Sequence, residues 1–145
     1  MKWIWIGLVA IVALVAVIGI LGAMLPRNHI ASRTLRVRRS PQEVWPVVTQ
    51  LMASSSVPAD ILENDPPRRL VSRVKETEKN FGGTWTVVVA PAASACTLTI
   101  TEDGWVANPI FRFVSRFVMG HHATMDGILK GVAKQLGEEP VLSGE

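Results

Sequence analysis

This sequence predicts an α+β domain carried on an N-terminal transmembrane helix, and three observations carry that expectation. The stretch from Trp3 to Leu25 runs for 23 residues without a charged side chain. Short segments between Pro58 and Asp103 alternate apolar and polar residues, which is the period of half-buried strands. Two helix starts, Ser40-Pro41 and Asn108-Pro109, bracket those segments, each an N-cap residue followed by proline at the first helical position.

The N-terminal run comes first. At about 1.5 Å per residue a helix over Trp3 to Leu25 is roughly 34 Å long, against a hydrocarbon core of about 30 Å. Isoleucine, leucine and valine surround its whole circumference, where a helix of a globular core shows one polar face. A cleaved signal peptide fits less well, because its apolar core is shorter and ends at small residues, a pattern Leu21 and Ala23 do not supply. Trp3 and Trp5 belong at the headgroup level as an aromatic belt. Gly19 and Ala23 stand four apart, a spacing that lets two such helices approach and makes a homodimer possible.

Charge sharpens the picture. The chain of 145 residues carries 15 Lys+Arg and 12 Asp+Glu. Lys2, Arg27, Arg33, Arg36, Arg38 and Arg39 all precede Glu43, the first acid. Positive charge is therefore concentrated beside the apolar run, with Arg27 and Arg33 expected to meet anionic headgroups. The positive-inside bias then places the soluble part in the cytoplasm, although a short basic N-terminus can also stay inside and send the domain outward. The remainder is net acidic and holds no groove-reading motif, so nucleic acid is not an expected partner. Length and composition leave room for one small domain, and Cys96, the single cysteine, cannot close an intrachain disulfide.

Ile30 to Arg38 reads as the first strand, with Leu35 and Val37 apolar between Arg36 and Arg38. Ser40-Pro41-Gln42-Glu43 is a capping box, and Val44, Trp45, Val48, Leu51 and Met52 follow at helical spacing. Pro46 removes the amide that would bond to the Gln42 carbonyl, which predicts a bent or shortened helix ended by Ser54-Ser55-Ser56. Pro58 to Glu63 and Arg69 to Glu76 are expected strands on either side of an Asn64 to Pro67 turn. Gly82-Gly83 predicts a tight bend before a strand from Thr84 to Ala90, and Pro91 to Ser94 another turn. In Thr97 to Asp103, threonines 97, 99 and 101 face one way and Leu98, Ile100 and Glu102 the other. From Ile110 helical spacing continues to about Leu136, with a kink or break at Gly120. Gly127 and Gly131 suggest close packing of this helix on the sheet, and Gly137 ends it. The expected organisation is an anchor over 1–26, a domain over 27–139 and a flexible tail over 140–145.

Five blocks in order give the domain a resemblance. They are Ser40-Pro41-Gln42-Glu43-Val44-Trp45, Asp65-Pro66-Pro67-Arg68-Arg69-Leu70-Val71, Phe81-Gly82-Gly83-Thr84-Trp85-Thr86, Leu98 through Gly104, and Asn108-Pro109-Ile110-Phe111-Arg112-Phe113. Together they resemble the SRPBCC superfamily, the START and Bet v 1-like group that includes polyketide cyclase/dehydrase proteins, over about Ile30 to Glu138. The resemblance implies a helix-grip fold, in which a curved antiparallel sheet wraps a long C-terminal helix around an apolar cavity for lipids, sterols or polyketides. Members usually carry a further strand pair after the first helix. Here only Leu51 to Val57 fills that interval, so the grip is expected to be truncated and open on one side.

Individual residues refine the expectation. Glu102 shares a face with Leu98 and Ile100, and a buried carboxylate needs a partner or a raised pKa. Arg112, Arg116 and His121 are its candidate partners, as a structural ion pair or, alternatively, around a catalytic acid. His121 and His122 project about 100° apart on a helix, and His122 with Asp126 is a two-ligand set, so no metal site is expected. Cys96 has no activating neighbour in sequence. No phosphate-binding glycine loop or nucleophile elbow is present, no catalytic residue is assigned and no cofactor is expected. Trp85, Trp105, Met125 and Leu129 are the candidate ligand-lining set, with ordinary core the reading that each residue taken singly favours.

The resulting expectation is a single-pass protein of the bacterial inner membrane that binds a lipid or hydrophobic small molecule near the bilayer. Two alternatives stand beside it: a cyclase/dehydrase-type enzyme, and an interaction module that pairs through an open sheet edge.

Overall fold

The computed structural model describes residues 1–55, 57–75, 81–120 and 122–144. Its first element, α1, is a helix over Lys2–Met24. Trp3, Ile4, Val9, Val12 and Ile20 are all more than half exposed, and one helix is thus long and apolar enough to cross a membrane.

Next come β1 (Asn28–Val37), α2 (Pro41–Ala53), β2 (Ala59–Asp65), β3 (Arg69–Val74), β4 (Phe81–Ala92) and β5 (Ala95–Val106). A short helix α3 (Pro109–Val114), a π-helical segment over Ser115–Met119, helix α4 (Ala123–Gln135) and strand β6 (Leu142–Ser143) complete the order. The strands form one antiparallel curved sheet in the order β2-β3-β4-β5-β1-β6.

Period-two alternation decides the faces of that sheet. Leu35 and Val37 of β1, Val87 and Val89 of β4, and Leu98 and Ile100 of β5 are buried on the concave side. Val44 and Val48 of α2 and Met125, Leu129 and Val132 of α4 close the core over them. On the opposite side Thr34 meets Thr99 and Ser32 meets Thr101, each pair of hydroxyls 2.9 Å apart. Cross-strand hydroxyl pairs of this kind hold register where no core can form.

The capping box forms as read, with the Ser40 backbone N–H and hydroxyl both donating to Glu43 Oε2 at 2.9 and 2.8 Å. Pro46 does not stop α2, which runs on to Ala53. Between Ala53 and Ala59 there is no room for a strand pair, so the sheet lacks that hairpin.

Three expectations are corrected. Gly82 and Gly83 lie inside β4 opposite Trp105 and Gly104, because the missing side chains make room for the neighbouring strand rather than a bend. Of the α4 glycines, Gly131 approaches Leu51 of α2, while Gly127 faces open space. The C-terminal segment is not a loose tail: Leu142 and Ser143 pair with Leu35 and Thr34. The physical reason is the otherwise unpaired N–H and C=O groups on that edge of β1. The long C-terminal helix is divided, with Gly120 at φ +73° between the π-helical segment and α4, a backbone conformation that favours glycine.

Candidate functional site

The place where α1 meets the domain is built from three local features. Asn108 caps α3, its Oδ1 accepting from the backbone N–H groups of Ile110 at 2.9 Å and Phe111 at 3.2 Å. That cap turns Pro109 toward α1, where its carbonyl lies so close to Gly22 that any Cβ there would collide with it. Arg112, one turn on, then reaches back under the end of α1. Its Nη1 donates to the carbonyls of Gly22 at 3.2 Å and Leu25 at 2.9 Å, and its Nη2 to that of Ala107 at 2.7 Å.

The last carbonyls of a helix have no partner within it and carry the negative end of its dipole, so a guanidinium is the natural complement. Arg112 is only 7% exposed, and its Nε has no hydrogen-bond partner among the described residues.

A cavity of about 160 Å³ opens beside this junction, lined by Leu25, Arg27, His29, Val106, Arg112 and Arg116 among others. Three cationic side chains belong to its wall, and no carboxylate among the described residues does. The nearest acid bound to a wall residue is Glu102, whose Oε1 stands 3.8 Å from His29 Nε2. Gly104 makes that approach possible, since a Cβ there would be 2.7 Å from the imidazole Cε1.

Of the residues singled out in the sequence, all but His121 now have a place. Glu102 does share the core-facing side of β5, yet its neighbour is His29 of β1 rather than Arg112, whose guanidinium is used on α1. Arg116 is exposed at the cavity and has no acid within 4 Å among the described residues. His121 lies outside the described residues. Met125 and Leu129 are wholly buried in the core, and Trp85 packs against that core from β4. Trp105 stands on the other face of β5 over Gly82, so these four do not line one cavity.

Trp3 and Trp5 are exposed near the start of α1, and Arg27 is exposed at the cavity. Arg33 points instead to α4, where its Nε bonds Asp126 at 2.9 Å, because odd positions of β1 face the concave side. Asp126 is thereby engaged away from His122. Gly19 has nothing near its missing side chain; the glycine of α1 that packs is Gly22.

A second, wider concavity of about 680 Å³ lies at the far end, between Arg36, Arg38 and Arg39 and the acids Glu138 and Glu139. Arg39 and Glu138 pair across it at 3.6 Å, so carboxylates stand among its guanidinium groups. Cys96 is buried nearby, and burial together with the carboxylates of Glu138 and Glu43 pushes its thiol pKa up.

No family model matches the chain, and no curated protein matches it. Solved structures do. A conserved protein from Geobacillus kaustophilus has a TM-score of 0.59 at 12% identity, covering 79% of this chain and 99% of its own. CalU16 from Micromonospora echinospora has a TM-score of 0.53 at 13% identity over 78% of this chain and 83% of its own. A truncated norcoclaurine synthase from Thalictrum flavum has a TM-score of 0.51 at 12% identity, covering 77% and 95%. The domain therefore shares the helix-grip fold of these structures, a curved antiparallel sheet closed over by helices.

Proposed function

We propose that this protein is a single-pass membrane-anchored SRPBCC-like binding protein that takes a lipid or hydrophobic small molecule at the bilayer surface. The observation that carries the reading is the construction of the junction. The last turn of a long, exposed apolar helix is held against the domain by the Gly22 and Pro109 contact and by two Arg112 hydrogen bonds, to the carbonyls of Gly22 and Leu25.

Burial of the apolar surface of α1 in lipid is worth about 25 cal/mol per Å², far more than its partial contacts with the domain supply. Binding is then expected at the rim beside α1 rather than inside the grip, because Met125, Leu129, Leu98 and Ile100 already fill the interior. Residues 1–26 serve as the anchor in this reading, and the arginines that follow place the domain on the cytoplasmic side. Alkaline carbonate extraction of membranes carrying the full chain tests the anchor: it stays in the pellet, whereas a chain released to the supernatant overturns the reading. Lipid extraction and mass spectrometry of the purified chain test the ligand.

A second reading keeps enzyme chemistry. It is favoured by the His29 and Glu102 pair on the concave side of a fold shared with norcoclaurine synthase. It requires Glu102→Gln to abolish turnover of a cyclisable substrate without loss of folding.

A further inference from the structure

The junction cavity has an electrostatic imbalance that the fold does not resolve internally. Arg33, Arg39, Arg68 and Arg69 each have a carboxylate within 3.6 Å. Arg27, Arg36, Arg38, Arg73, Arg112 and Arg116 have none within 4 Å among the described residues. For the five that are exposed this costs little. For Arg112 it is different, because a guanidinium that is 7% exposed has lost most of its hydration. Three carbonyl dipoles offset only part of that loss, and Nε remains without a partner among the described residues. A counter-anion in the cavity would supply the missing charge, and three guanidinium groups around one wall are suited to the oxygens of a phosphate ester.

Position selects the source of the phosphate. Leu25 and Arg27 lie directly after α1, where a spanning helix of this length leaves the hydrocarbon and enters the headgroup layer. The segment that carries Arg112 and Arg116 also exposes Phe111, Phe117, Val118 and Met119, each more than 60% exposed. Apolar side chains flanking a cationic cavity match the two halves of a phospholipid.

We propose that this cavity binds the phosphate of an anionic phospholipid from the leaflet next to the domain, held by Arg27, Arg112 and Arg116. The proposal rests on the membrane-anchored reading and goes beyond it by naming a site and a ligand class.

The test uses the full chain reconstituted in vesicles of phosphatidylcholine alone or of phosphatidylcholine with phosphatidylglycerol. After mild extraction, the lipids retained on the protein are identified by native mass spectrometry. The expected result is preferential retention of phosphatidylglycerol, a preference that falls roughly 30-fold in the double variant Arg27→Gln/Arg116→Gln, at about 1 kcal/mol per arginine. The double variant Arg27→Lys/Arg116→Lys is expected to keep most of it. Both residues are exposed, so neither change threatens folding, and Arg112 is left intact to hold α1.

A chain that remains in both vesicles but retains the two lipids equally overturns the site while sparing the anchor. So does an undiminished preference in the glutamine variant. Inorganic phosphate that binds the detergent-solubilised chain without any lipid preference in vesicles overturns the lipid source. A chain that washes off both vesicles overturns the anchor and the site together.

Discussion

Arg33 and Asp126 join the first strand to the last helix through two parallel contacts, Nε to Oδ1 at 2.9 Å and Nη2 to Oδ2 at 3.4 Å. Both side chains are about three-quarters buried, and Arg33 Nη1 also donates to the Gly144 carbonyl at 3.1 Å. One guanidinium thus ties β1 and α4 to the C-terminal residues. Asp126→Asn is expected to destabilise the full chain by about 1 kcal/mol, and Arg33→Lys by a similar amount, since an ammonium cannot make the paired contact. Urea unfolding in detergent, followed by tryptophan emission, reads both; an unmoved midpoint would show that the pair adds nothing.

The docking of α1 gives a second prediction. Arg112→Gln removes its charge-assisted bonds to the Gly22 and Leu25 carbonyls, for about 2 kcal/mol and a roughly thirtyfold larger undocked population. Gly22→Ala forces a side chain into the Pro109 carbonyl and acts in the same direction. Faster tryptic cleavage after Arg27, with membrane retention unchanged, is the expected signature. Equal cleavage rates in all three chains would mean the contact is not maintained in solution.

Leu129 is wholly buried, so its truncation to alanine is expected to cost 2 to 5 kcal/mol, roughly, as a cavity-forming core change. Leu129→Met conserves volume and is expected to cost less than about 1.5 kcal/mol. With binding at the rim, the methionine variant retains the same lipids as the parent. An altered lipid profile would move the site inside the grip.

Glu43 predicts a pH dependence. The Ser40 backbone N–H and hydroxyl, with help from Arg39, hold its carboxyl below the ordinary value of 4.5. Because the folded value is depressed, the contribution is complete above that ordinary value and disappears as pH falls through the lower folded one. Glu43→Gln is therefore expected to flatten the acid limb of a stability profile and to leave its slope above neutral pH unchanged.

Cys96 stays protonated at neutral pH, since burial and two nearby carboxylates raise its thiol pKa. Maleimide is expected to label it only on unfolding, with a rate that follows denaturant. Rapid labelling of the native chain would contradict the burial of β5 at this position.

Local chemistry made much of the fold legible. Ser40 with Glu43 and Asn108 with Pro109 announce their helices because capping partners sit three residues apart or fewer. Leu98, Ile100 and Glu102 declare one face of β5 because a strand has period two. What stayed hidden depends on distant chain. Arg112 reads as a partner for Glu102 until the fold places it under α1, where its acceptors are backbone carbonyls that no side-chain pattern encodes. Gly22 is indistinguishable in sequence from Gly19, and only the position of Pro109 separates them. The pairing of Leu142 with Leu35 likewise appears only once β1 has an unfilled edge. Trp105 shared a plausible list with Met125, yet an odd position on β5 sends it to the other side of the sheet. That parity was available from the threonine alternation.

Only Leu25, Pro26 and Arg27 separate α1 from β1, and the Val106 N–H holds the Arg27 carbonyl at 2.9 Å. Such a mount has no slack. If α1 spans a bilayer as proposed, a body fixed this way cannot swing out to fetch cargo from the aqueous phase as a tethered buoy would. Under that proposal its ligand has to arrive by lateral diffusion within the sheet of lipids, along the side that the mount keeps turned downward.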